Sequence, residues 1–215
     1  MTRVKICGIT ETFHARAATE AGADFIGVVI APSPRQVTPD KAREIMAAVK
    51  DQNYATPVVG VFVNTPAPTV NFLATYCGLD WVQLSGNETW EYCQHIEKPV
   101  IKAIHISAEC TEDELLAQLE NGRRLLSTRP PVFLLDTFIE KQYGGTGQAF
   151  PWEIARQAAA AFPVIIAGGL NSENVGQVIA SLRPWGVDVS SGVEDNGAKS
   201  EKKIRAFINA ARSAQ

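Results

Sequence analysis

Cys7 and Asp136 are two residues whose types and places at the ends of apolar runs could do chemistry. A thiolate is a competent base, and a carboxylic acid whose pKa is raised by burial is a competent acid. Each follows or closes a short apolar run: Cys7 in Lys5-Ile6-Cys7-Gly8, and Asp136 in Phe133-Leu134-Leu135-Asp136. Each also has a plain structural reading. A buried cysteine packs as a small hydrophobe, and an aspartate after an apolar run often caps a turn or helix. Position favours chemistry, because a carboxylate at the end of a buried run is costly unless it is paired or sits at a mouth.

Other residues suggest an anionic ligand. Gly168-Gly169 follows one apolar run and Ser190-Ser191-Gly192 follows the next. Backbone N–H groups in such loops bind phosphate, although two ordinary turns would read the same way. Tyr143-Gly144-Gly145-Thr146-Gly147 is a third glycine-rich loop, equally suited to a lid and to a phosphate contact through Gly145. Arg35, in Pro32-Ser33-Pro34-Arg35, is either a solvated charge or a fork for a substrate carboxylate. Cys77 and Cys93 fall in helical patterns and read as packing.

The framework that carries these residues is legible as a cadence. Apolar runs at 4–7, 25–30, 58–63, 81–84, 100–104, 132–135, 164–167 and 187–189 are each followed by other sequence before the next. They are rich in Val, Ile, Leu and Phe and barely alternate, as strands of a parallel sheet buried on both faces do. Helical patterning lies between them, at 12–21, 39–49, 112–119 and 204–211. Ala42, Ile45, Met46 and Val49 share one helix face, with Pro39 near its start. The stretch 65–68 reads as a loop. This cadence predicts an α/β fold, a single-domain (β/α)8 TIM barrel over residues 1–215. A doubly wound sheet is the structural alternative. Barrel active sites lie at the C-terminal ends of the strands, and phosphate sites are frequent after strands seven and eight.

Composition narrows the class. The chain has 215 residues, 46% hydrophobic and 20% charged, with a formal net charge of -3. No basic stretch offers a footprint for nucleic acid. No apolar run approaches the roughly 18 residues of a membrane span, and the opening residues do not read as a signal peptide. The four cysteines show no CxxC pair and no metal-ligand spacing with the three histidines. Reduced thiols in a cytoplasmic protein are expected.

The same residues carry a family resemblance. Lys5-Ile6-Cys7-Gly8-Ile9-Thr10 resembles the opening motif of phosphoribosylanthranilate isomerases. In the family's order there follow Gly22-Ala23-Asp24 with Ser33-Pro34-Arg35, Val59-Gly60-Val61-Phe62-Val63-Asn64, and Val82-Gln83-Leu84. Leu134-Leu135-Asp136-Thr137, Ala167-Gly168-Gly169-Leu170-Asn171 and Val187-Asp188-Val189-Ser190-Ser191-Gly192-Val193-Glu194 complete the series. The resemblance implies an Amadori rearrangement of N-(5-phosphoribosyl)anthranilate in tryptophan biosynthesis, with no metal or organic cofactor. It implies Asp136 as acid and Cys7 as base. Arg35, Gln83 and Asp188 would bind substrate, and Gly145, Gly168, Gly169, Ser190, Ser191 and Gly192 would hold its phosphate.

Two positions depart from the family pattern: Ser85 stands where His is usual, and Pro151 where Asp is common. Ser85 keeps open a related phosphosugar isomerase of altered substrate choice. A non-catalytic phosphosugar-binding protein is a further alternative, disfavoured because both Cys7 and Asp136 are present. The lysine-bearing strand motifs of indole-glycerol-phosphate synthase are missing. The only partner expected is a small phosphorylated substrate, with the chain a monomer or a homodimer and without nucleic acid or membrane.

Overall fold

The expected barrel is closed in the computed structural model, which describes residues 1–51, 55–107, 109–136 and 152–214. Its parallel strands are β1 (Arg3–Ile6), β2 (Phe25–Val29), β3 (Val58–Phe62), β4 (Trp81–Leu84), β5 (Val100–His105), β6 (Val132–Asp136), β7 (Val164–Ala167) and β8 (Gly186–Val189). They pair in chain order, and β8 returns to β1 with Lys5 opposite Asp188. That last pairing rules out the open doubly wound sheet, whose edges would stay unpaired.

Helices alternate with the strands: α1 (Thr12–Glu20), α2 (Pro39–Lys50), α3 (Ala67–Cys77), α4 (Trp90–Gln94), α5 (Glu112–Leu125), α6 (Trp152–Ala161), α7 (Val175–Leu182) and α8 (Glu201–Ser213). Local chemistry sets their starts. Thr38 caps α2 by accepting from the Lys41 N–H, with Pro39 at the first position. Thr111 and Glu114 form a capping box on α5. The stretch 65–68, which reads as a loop in sequence, already holds the first turn of α3, where a proline loses no helical hydrogen bond. The face of α2 formed by Ala42, Ile45, Met46 and Val49 is buried as expected.

The strands separate two apolar layers. Val4, Ile6, Val82, Leu84, Phe133, Leu135, Val187 and Val189 pack outward against the helices. Side chains alternate along a strand, so their neighbours point into the barrel. Inside, Phe25, Val59, Ile101, Ala103, Val132, Leu134, Ile165 and Ala167 form a second cluster. Trp81 and Trp185 pack on Phe25 at ring-centroid distances of 5.7 and 5.8 Å and plug the N-terminal end. Of the polar inward positions, Lys5, Gln83, His105, Asp136 and Asp188 lie from mid-strand towards the C-terminal ends, while Arg3 stands at the N-terminal rim over Trp185. The interior is therefore dry at one end and polar at the other, which puts chemistry at the C-terminal mouth.

Candidate active site

Cys7 comes directly after β1, its N–H bonded to the Val189 carbonyl at 2.8 Å. It is 7% exposed. Lys5, two residues earlier on the same inward face, is fully enclosed and donates to Asp188 Oδ1 at 2.8 Å. Gly27 of β2 supplies the room. A methyl group there would lie 2.8 Å from Cys7 Sγ and 3.1 Å from Lys5 Nζ, so thiol and ammonium share the space over a bare stretch of backbone.

Burial pushes the Cys7 thiol above its ordinary value, Lys5 and Lys199 pull it down, and Asp188 pushes it up. Burial wins. Lys5 and Lys199 favour the thiolate, but the enclosed site and the Asp188 charge outweigh them. Burial opposes charge on Lys5 as well, yet Asp188 and Cys7 together raise its pKa and keep it cationic.

Asp136 ends β6 as expected, half-buried. Burial raises its carboxyl, a nearby His105 lowers it, and Asp188 raises it further. The net shift is upward, the direction a catalytic acid at this position needs. His105 ends β5, opposite Asp136 in the strand register. Its Nδ1 lies 3.9 Å from Asp136 Oδ2, and its Nε2 is 3.0 Å from the Ser85 carbonyl. Ser85 also accepts through Oγ from Gln83 Nε2 at 2.9 Å. Gln83 is 5% exposed, and its Oε1 has no hydrogen-bond partner among the described residues. An orphan acceptor costs about 1–3 kcal/mol, which a ligand donor would recover.

Arg35 is not a free fork. Its Nε and Nη2 donate to the two carboxylate oxygens of Glu194, at 2.6 and 2.8 Å. Glu194 Oε1 also accepts from Lys199 Nζ at 2.6 Å. The Lys199 ammonium reaches the Ser190 carbonyl at 2.9 Å and Ser190 Oγ at 3.2 Å. A small hairpin brings Glu194 and Lys199 together. Strands β9 (Glu194–Asp195) and β10 (Ala198–Lys199) are joined by Asn196-Gly197, both at positive φ, as in a type I′ turn. In that register Glu194 faces Lys199.

The two expected phosphate loops touch. Gly168-Gly169 turns the chain after β7, and a pair of asparagines braces that turn. Asn171 N–H donates to Asn174 Oδ1, and Asn174 Nδ2 donates to the Gly169 carbonyl. A 3-10 turn over Ser191–Val193 comes after β8. A side chain at Gly192 would put its Cβ 1.9 Å from the Leu170 carbonyl oxygen, so only glycine lets the two loops close on each other. Gly145, its loop at 143–147, and Pro151 lie outside the described residues.

Four residues with a part in this geometry were not singled out in the sequence. Lys5 carried a signal, a lysine flanked by Val4 and Ile6 inside an apolar run and in phase with Cys7. His105 lies one residue past the fifth run, at a strand end like Asp136. Asn-Gly between Asp195 and Ala198 is a hairpin signature, but nothing local marks Glu194 and Lys199 as partners of Arg35 and Ser190. No group of three or more His, Cys, Asp or Glu that could hold a metal ion occurs among the described residues.

A closed (β/α)8 barrel with Cys7, Asp136 and two touching glycine-containing loops at the C-terminal ends of its strands has the layout of a barrel enzyme. Comparison with known proteins gives its family. A sequence profile described as N-(5'phosphoribosyl)anthranilate (PRA) isomerase matches residues 4–210. The N-(5'-phosphoribosyl)anthranilate isomerase of Dehalococcoides mccartyi is 47% identical over 214 residues, covering 100% of this chain and 97% of that one. Among solved structures, monomers of the dimeric phosphoribosylanthranilate isomerase of Thermotoga maritima superpose with a TM-score of 0.78 at 36% identity, covering 99% of this chain and 100% of theirs. A phosphoribosylanthranilate isomerase in complex with reduced 1-(o-carboxyphenylamino)-1-deoxyribulose 5-phosphate does so with a TM-score of 0.79 at 36% identity, with the same coverage. The chain belongs to the N-(5'-phosphoribosyl)anthranilate isomerase family, and that isomerisation, in tryptophan biosynthesis, is its function.

Proposed function

We propose that Asp136 is the acid and Cys7 the base of the rearrangement. Asp136 protonates the furanose ring oxygen, and the ring opens to a Schiff base. Cys7 removes the proton from sugar C2, and the enolamine tautomerises to the ketone. The observation that carries this reading is the Asp136 carboxyl, raised by burial at the same mouth as Cys7. The working form pairs a Cys7 thiolate with a protonated Asp136.

The remaining residues hold the substrate. Gln83 Oε1 accepts from a sugar hydroxyl, and Asp188 faces the hydroxyls or the amine while pairing with Lys5. Arg35, braced by Glu194, receives the anthranilate carboxylate on its free edge. The loops at Gly168-Gly169 and Ser190 to Gly192 take the phosphate, with Gly145 as a further contact. Residues 1–215 act as one catalytic domain, without nucleic acid. The relative's complex with the reduced product supports a small phosphorylated ligand. The chain works as a monomer or homodimer in the cytoplasm; its four cysteines are free thiols, and none of its described helices is long and apolar enough to cross a membrane.

The test is loss of anthranilate fluorescence when the purified protein meets phosphoribosylanthranilate generated in place. Cys7→Ala should abolish turnover while sparing binding of a product analogue. Asp136→Asn should cost ~10²–10⁴ in rate. Near wild-type turnover in either variant removes that residue from its role.

A further inference from the structure

We propose that Lys199 is a positioning residue that fixes the spacing between the two anion-binding ends of the site. It ties Arg35, the fork for the substrate carboxylate, to the loop that takes the phosphate. The proposal rests on that reading of Arg35 and of the loops after β7 and β8.

The contacts form one continuous chain. Arg35 Nε and Nη2 donate to the Glu194 carboxylate at 2.6 and 2.8 Å. Glu194 Oε1 accepts from Lys199 Nζ at 2.6 Å. The same ammonium donates to the Ser190 carbonyl at 2.9 Å and reaches Ser190 Oγ at 3.2 Å. Each link includes a charged group, which makes it stronger than a neutral hydrogen bond.

Lys199 is placed to hold these groups and not to touch substrate. An ammonium has three hydrogens and no acceptor capacity. Here it meets three acceptors, all of them in the protein, and its side chain is 1% exposed. Its influence on a ligand therefore runs through Glu194 to Arg35 at one end and through Ser190 at the other.

The chain passes beside Cys7. Gly8 has φ +74°, and a Cβ there would lie 2.5 Å from Arg35 Cδ, 3.0 Å from Ser190 Oγ and 3.4 Å from Lys199 Nζ. The three side chains thus converge over bare backbone just past β1. The hairpin keeps Lys199 in place: Glu194 is its register partner, the Ser200 N–H donates to the Val193 carbonyl at 2.9 Å, and Lys203 Nζ donates to the Glu194 carbonyl at 2.7 Å.

A fixed spacing matters to a ligand that spans both ends. Once one end of such a ligand is bound, the other binds at an effective concentration set by the geometry. Protein groups held in place beforehand lower the ordering cost of that second step. A ligand with a single anionic end gains nothing from the spacing.

The experiment compares three competitive inhibitors on wild type and Lys199→Met: inorganic phosphate, anthranilate, and reduced 1-(o-carboxyphenylamino)-1-deoxyribulose 5-phosphate, which carries both ends. The loss for the two-ended ligand should exceed the product of the two single-ended losses by about tenfold, and KM for substrate should rise more than kcat falls. Glu194→Gln cuts the chain at its Arg35 link and should show the same excess, which keeps the test open if Lys199→Met does not fold. Losses that simply multiply, or a loss confined to phosphate, would overturn the proposal. Arg35→Ala and Gly192→Ala test the underlying reading separately. Unchanged inhibition by anthranilate in the first, or by phosphate in the second, would remove that end of the site and the proposal with it.

Discussion

Lys5 Nζ and Asp188 Oδ1 meet 2.8 Å apart inside the barrel, on strands 183 residues apart in sequence. The pair closes the sheet electrostatically where β8 rejoins β1, and it places a cation and an anion beside Cys7. Neither charge would be tolerated alone at such burial.

Breaking this pair should therefore be expensive. Asp188→Asn leaves the Lys5 ammonium enclosed without its counter-charge, which costs about 3–5 kcal/mol. Urea denaturation followed by tryptophan fluorescence measures it. A loss under about 1 kcal/mol would mean that Lys5 is satisfied by other groups. The same variant should lower the pH at which the Cys7 thiol titrates, since Asp188 raises it.

Cys7 reactivity should rise steeply with pH. Its thiol lies above the ordinary value because burial outweighs Lys5. Carbamidomethylation by iodoacetamide, read at Cys7 by peptide mass spectrometry, should be slow at pH 7 and still accelerating at the ordinary thiol value of 9.0. A rate already on its plateau at pH 7 would show that the cations win after all.

Glu194 should make the protein sensitive to acid. Burial pushes its carboxyl up, but hydrogen bonds and charge from Arg35 and Lys199 outweigh that and hold it at about 2. The folded value is below the ordinary 4.5, so the stabilisation is complete above that pH and is lost as pH falls towards about 2. Thermal melts should show Glu194→Gln less stable than wild type at pH 7, with the gap narrowing as pH drops below 4.5. A gap that does not change with pH would contradict the charge argument.

Gly192→Ala should part the two phosphate loops. Its Cβ would lie 1.9 Å from the Leu170 carbonyl oxygen, and backbone must move to relieve that. Competitive inhibition by inorganic phosphate should weaken, with KM rising more than kcat falls. Unchanged phosphate inhibition would detach these loops from phosphate binding.

The features readable from the chain alone are those that short-range pattern controls. Apolar runs of a few residues, with turn signals between them, are enough to identify eight buried parallel strands, because backbone and hydrophobic periodicity are local. Boundaries moved by a residue or two: β5 and β6 each run one residue further, to His105 and Asp136. Cys7 and Asp136 stood out because a polar or reactive group after a buried run is costly, and barrels keep such groups at the strand ends. Tertiary structure alone decided the partners. Arg35 was expected as a fork for a substrate carboxylate, and only the fold shows that its Nε and Nη2 side is held by Glu194, 159 residues away. Lys5 finds Asp188, and His105 finds Asp136, only once the sheet has closed with one register. Barrel closure sets those distances, and no local spacing encodes them, so Cys7 and Asp136 were legible while the charges around them were not.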